Sequence, residues 1–264
     1  MTKTWLVCID DTDEIGTKGT GEIAEEIMQL IVSQSSVRPQ DNPALGNAIG
    51  VTRHQLYVHP DIPYTSHNSA MCFELKSDLS LLQLKDICIA HLLAESALAA
   101  DPGLAIVDKA TLSPVECQQL MAFGLDAKKQ VKTKSDAYQM ASAVGIDLSE
   151  HGGTGQGVIG AVAGIGLRLS GNDGRLKGQL SMGLSAQTPS LNLSVKQIKI
   201  LSGLDAVMAV NAQVLDDQDV IHLSGKVKAV LSNHQFVLLV YQYSEPATGT
   251  FQWRNALKQH LKDY

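Results

Sequence analysis

Paired cysteines are missing from this chain. Its four, Cys8, Cys72, Cys88 and Cys117, lie far apart in apolar surroundings, and no C-x-x-C occurs. That argues against a zinc ribbon and for reduced core thiols of a cytoplasmic protein. No uninterrupted apolar run reaches the about 18 residues of a membrane helix, so no span is expected. The chain is expected to enter a strand almost at once, so no signal peptide is expected. An excess of basic residues is also lacking. Lys and Arg number 21 against 27 Asp and Glu, giving a net charge of −6. That balance does not favour a large nucleic-acid footprint, although local patches can dominate. The phosphate-loop pattern G-x-x-x-x-G-K-[ST] is absent, as are internal repeats and low-complexity tracts. What remains is an ordinary globular composition, and 264 residues are enough for two modest domains or one large one.

Along the chain, Thr4–Ile9 is a short β-rich run expected to be a buried strand. Glu22–Ser33 has a helical apolar period. Pro39–Gly46 reads as a loop, Ala48–His59 and Ser69–Leu75 as strands, and Leu79–Ala100 as a long helix. Leu104–Lys109 is strand-like. Ser113–Gly124 has the marks of a short helix: Ser at the cap, Pro in the first turn, Glu three residues on and Gly at the end. Gln130–Thr133 is expected as a strand and Lys134–Val144 as a helix. Strands then crowd: Leu176–Gly183, Val195–Ile200, Ala206–Val210, Val220–Ser224, Val227–Val230 and Phe236–Tyr243, with a final helix at Trp253–Lys262. The reading is an α+β protein with an α/β-like body over residues 1–180 and a smaller β-rich part over 181–264.

The chemistry concentrates where the first strand stops. Residues 9–21 read I-D-D-T-D-E-I-G-T-K-G-T-G. Asp10, Asp11 and Asp13 repel one another at close range unless protonated or bridged by a cation. Hard oxygens without His or Cys favour magnesium, which binds through one or two carboxylates plus phosphate oxygens. Lys18, Gly19 and Thr20 add an ammonium, main-chain N–H groups and a hydroxyl just before a helix whose positive end favours anions. Aspartates that merely cap and turn a loop are the plainer alternative.

A second stretch, H-G-G-T-G-Q-G-V-I-G-A-V-A-G-I-G-L at 151–167, is a glycine loop opening a helix of small residues. Gly152, Gly153, Gly155 and Gly157 are candidates for cradling phosphates, with tight helix packing as the alternative. The pattern G-x-G-x-x-G can be read at 155–160, but no strand is expected to run into it, so a dinucleotide fingerprint fits poorly. Between the two stretches, R-H-Q-L-Y-V-H-P-D-I-P-Y-T-S-H-N-S-A (53–70) is an irregular proline-fixed loop. His54, His59 and His67 match no metal spacing, while Tyr64, Ser66, His67 and Asn68 suit stacking on and hydrogen bonding to a ring.

Taken in order, I-D-D-T-D with Thr20, then V-T-R, P-D-I-P-Y and N-S-A, then G-x-G-x-G-V-I-G-A-V-A-G-I-G resemble the archaeal tRNA-Ile agmatidine synthetase (2-agmatinylcytidine synthetase) family over about the first 180 residues. The resemblance implies a kinase-like domain followed by a ferredoxin-like one, with a boundary near 100–110, and use of ATP and magnesium to activate a wobble cytidine for attack by agmatine. It places Asp10, Asp11 and Asp13 on magnesium and phosphates and makes Thr20 a reactive threonine. Arg53 and the Ile62-Pro63-Tyr64 loop would lie beside the cytidine, and Gly153, Gly155 and Gly157 at the nucleotide. The chain departs from the family pattern in having Gly21 in place of a second threonine and T-S-H-N-S-A in place of a basic loop. Neither the family's OB-fold nor its zinc ribbon is evident.

The resulting expectation is a magnesium- and ATP-dependent phosphotransferase or ligase-type enzyme acting on a small-molecule or nucleotide acceptor. The alternatives are a tRNA-modifying enzyme with a separate RNA-binding partner, and a non-catalytic nucleotide-binding module.

Overall fold

A computed structural model describes residues 1–37, 50–62, 67–244, 249, 251–262 and 264. The expected loop at Pro39–Gly46 and the side chain of Tyr64 lie outside them. The described residues divide into two compact units, one running to Ser170 and one from Gly171 onward.

In the first unit, β1 (Lys3–Asp10), α1 (Thr20–Gln34), β2 (Thr52–Gln55), β3 (Ser69–Ser77), α2 (Leu81–Glu95) and β4 (Gly103–Asp108) follow in βαββαβ order. The strands lie in the sequence β4-β1-β3-β2 and every pairing is antiparallel. That is the split βαβ topology of ferredoxin-like folds. Strand β5 (Asp147–Glu150) adds antiparallel to β4 at the edge. Helices α3 (Pro114–Ala127), α4 (Lys134–Val144) and α5 (Gly157–Ser170) complete the unit.

The period of two along β1 explains the layers. Trp5, Val7 and Ile9 enter one core with Ile23, Ile27 and Met28 of α1 and Leu84 and Leu92 of α2. Leu6 and Cys8 point the other way, into a second core with Val158, Ala161, Val162 and Ile165 of α5 and Leu120 and Phe123 of α3. A strand covered on both faces has to be apolar there, as W-L-V-C-I (5–9) is.

Several expectations need correction. Gln130–Thr133 is not a strand: Thr133 is the N-cap of α4, bonded reciprocally with Asp136. Gly124 does not end α3 but lies within it. A Cβ there would come 2.7 Å from Ala163 O and 2.9 Å from Leu167 N, so the glycine serves the approach of α3 to α5. Asp147–Glu150, where no strand was expected, is a strand that runs into the glycine loop. It pairs antiparallel, which differs from the parallel βαβ unit of dinucleotide-binding folds.

In the second unit the strands are β6 (Arg175–Leu176), β7 (Ser190–Ser194), β8 (Ala206–Ala209), β9 (Val220–Ser224), β10 (Ala229–Ser232), β11 (Gln235–Ser244) and β12 (Phe251–Asn255), in the order β6-β10-β11-β12-β9-β7, with β8 parallel to β11. Leu176–Gly183 is strand only at its start. Val195–Ile200 is helical: α6 (Val195–Ser202) is closed by a capping box between Ser194 and Gln197 and ended by Gly203 in the left-handed conformation. Residues expected as a final helix form β12 and a single 3-10 turn at Lys258–Leu261. The protein is therefore α+β, with six α-helices and twelve strands among the described residues. No helix among them is long and apolar enough to cross a membrane.

Candidate active site

The interior strand β1 places the site at its carboxyl end. Its last residue, Asp10, pairs with Gly103 of β4, and its carboxylate lies buried beside the first turns of α5. A Cβ on Gly160 would collide with that carboxylate, so α5 can come so close only because position 160 is glycine. Burial, and then the neighbouring Asp11 charge, push the Asp10 carboxyl up to about 8. Asp11 turns the chain in the left-handed region (φ 55°), which Asp tolerates better than most residues. Its carboxyl rises to about 6 through burial, then through the charges of Asp101 and Asp13. Asp13 Oδ2 is 3.4 Å from the N–H of Thr20, the first residue of α1.

Asp10, Asp11, Asp13 and Thr20 line one cavity of about 310 Å³. Its other walls come from Leu56, Asp61, Ile62, His67, Asn68 and Ser69, from Ala127 and residues 130–134, and from Gln156, Gly157, Ile159 and Gly160. All of these belong to the first unit. The opening residues of α1, α4 and α5 thus face the same space as the carboxylates. Each helix start carries a partial positive charge.

The sequence candidates fare differently. Asp10, Asp11, Asp13, Thr20, His67, Asn68 and Gly157 share the cavity. Asn68 Nδ2 donates to Tyr57 O at 2.6 Å, which fixes the side chain. Lys18 turns elsewhere: its Nζ donates to Glu26 at 2.9 Å and to Glu95 at 2.6 Å, tying the aspartate loop to α1 and α2. Gly19 is the N-cap residue of α1. Arg53 donates to Ser69 Oγ at 2.9 Å and to Gln55 Oε1 at 3.0 Å. Gly152 and Gly153 pack against the 100–102 segment, and Gly155 against the side chain of Glu150.

Sequence reading did not single out Lys132, Thr133, Lys134, Gln130 and Gln156, which also line the cavity. The signal was present in T-x-x-D at 133–136, a capping pattern that places the start of α4. Lys132 Nζ donates to Asp126 at 3.1 Å, and Lys134 Nζ to Glu150 at 2.8 Å and to Thr154 O at 2.7 Å.

Among the described residues no three His, Cys, Asp or Glu side chains are grouped closely enough to hold a metal ion by themselves. A buried carboxylate flanked by two others nevertheless suits a cation that arrives with phosphate oxygens, and magnesium requires only one or two protein carboxylates.

No family profile matches the chain, and no curated protein matches it in sequence. Solved structures do. The complex of TiaS with an isoleucine tRNA and ATP has a TM-score of 0.50 at 24% identity, covering 62% of this chain and 36% of that one. A tRNA fluorescent labelling enzyme has a TM-score of 0.49 at 26% identity, and apo TiaS, a tRNA-Ile agmatidine synthetase, 0.48 at 25%, each covering 62% of this chain. They cover 36% and 35% of those chains, so this protein spans about a third of the length of the structures it matches. The first likeness establishes a TiaS-like α+β fold.

Proposed function

We propose that this protein is a magnesium- and ATP-dependent enzyme of phosphotransferase or ligase type, acting on a small-molecule or nucleotide acceptor. The observation that carries the reading is the shared cavity, where three aspartates meet the amino ends of three helices. Phosphoryl transfer needs little else from a protein than positioning and charge neutralisation. Magnesium, when bound, would offset the carboxylates and the phosphate charge together. Asp10, at the strand end, Asp11, at the turn that follows, and Asp13 would be its ligands, with Asp13 also orienting the start of α1. Thr20 sits on the cavity wall as a covalent relay or a ligand. His67 and Asn68, which line the same cavity, would be acceptor contacts.

Millimolar ATP with magnesium is expected to raise the melting temperature, by roughly 5–10 °C if the ligand is near a hundredfold over its dissociation constant. Asp11→Asn keeps a residue that tolerates the left-handed turn and is expected to abolish the shift. Absence of any shift in the unaltered chain would overturn the reading.

A second reading keeps RNA as the substrate, since the structure with a TM-score of 0.50 is a complex with tRNA. An RNA-binding partner would then supply the phosphate contacts that a chain of net charge −6 does not favour. Filter binding to tRNA with a steep salt dependence separates the two.

A further inference from the structure

The glycine loop before α5 has the look of a phosphate cradle, but an anion of the protein's own already fills it. The Asp101 carboxylate accepts hydrogen bonds from both the N–H and the hydroxyl of Thr154. Burial works against this charge, yet those bonds and the N–H groups of Gln156 and Gly155 hold the carboxyl below its usual range. The Asp101 carbonyl accepts from the Gly157 N–H at 3.0 Å. One residue therefore serves the consecutive N–H groups of 154–157, the loop that leads into the first residue of α5. Gly153 packs so closely on the same carboxylate that a Cβ would collide with it. A phosphate could occupy this loop only by expelling Asp101.

The positive charge of the cavity lies on another wall. Lys132 and Lys134 flank Thr133, whose side chain accepts from Asp136 N and caps α4. Their ammonium groups are held by Asp126 and by Glu150 with Thr154 O, with side chains only 17% and 30% exposed. Each pairs with a single carboxylate that is itself partly exposed, an arrangement of small net value. A polyphosphate offers several charged oxygens at once and makes stronger, charge-assisted bonds.

We propose that Lys132 and Lys134, at the amino end of α4, hold the phosphate tail of the nucleotide, while Asp101 is the resident anion of the glycine loop. This rests on the nucleotide reading above and assigns its anion subsite to residues 132–134.

The test is calorimetric titration of the full chain with magnesium-ATP, inorganic tripolyphosphate and adenosine. Lys132→Gln and Lys134→Gln are each expected to weaken ATP and tripolyphosphate about tenfold, the loss of one charged hydrogen bond, and to leave adenosine binding unchanged. Asp101→Asn is expected not to tighten tripolyphosphate. If the unaltered chain binds ATP and the double lysine variant binds it equally well, the subsite assignment is wrong and the nucleotide reading stands. If adenosine weakens in step with ATP, the lysines act through the fold and the assignment is also overturned. If Asp101→Asn tightens tripolyphosphate, the glycine loop is the cradle. If the unaltered chain binds no ATP, the nucleotide reading itself fails.

Discussion

Asp10 is an acid whose surroundings oppose its charge. Its carboxyl lies near 8 in the folded chain against an ordinary 3.8. A carboxyl raised by folding holds its proton more tightly in the native state, so stability from this group is full below about pH 4 and is lost as pH rises toward 8. In chelator, the melting temperature is therefore expected to fall between pH 5 and pH 8, and Asp10→Asn is expected to flatten that slope. Thermal melts at matched ionic strength check both. An unchanged slope in the variant would assign the effect to another group. The aspartates were legible because they interrupt an apolar strand so abruptly. Asp101, Lys132 and Lys134 were not. Lys132 falls in a segment that reads as a strand and Lys134 at the start of one that reads as a helix, and only tertiary folding brings the three near the carboxylates or the glycine loop.

At the scale of elements, the crossing of α3 and α5 is made by main chain. Replacing Gly124 by Ala improves helix propensity by about 1 kcal/mol. The new Cβ, however, would sit 2.7 Å from Ala163 O, an atom of helical backbone that cannot swing away. Overpacking of that kind costs about 1–3 kcal/mol. A net loss of about 1 kcal/mol is expected, visible in urea as a lower midpoint with an unchanged slope. Here the sequence informed well where pattern and burial agree. Helices α1 and α4 and strands β1, β3, β4 and β11 are where the apolar periods place them. It misled where short segments fit both periods. Val195 and Ile198 are buried while Ile200 is exposed, a spacing of three that V-K-Q-I-K-I disguises as alternation. Trp253 and Arg254 pair across to Gln242 and Tyr241 of β11, contacts no local pattern contains.

For the molecule as a whole, the two units keep separate hydrophobic cores. Among the described residues, the cores around β1 include none beyond Leu169, and those of the second unit begin at Leu176. Since every cavity residue precedes Ser170, a chain ending at that serine is expected to fold and to keep the magnesium-ATP thermal shift. Loss of the shift in a cooperatively folded fragment would show that the second unit contributes to the ligand.

Helix α5 lies against β1, β3 and β4 on one side and α3 on another, and it meets them largely through glycines and alanines. Eleven of its fourteen residues are buried. A side chain added at Gly160 or Gly164 would meet the Asp10 carboxylate or the Cys8 thiol, so in the proposed reaction α5 is expected to be the fixed benchmark for any movement of the connections at 11–19 and 128–133.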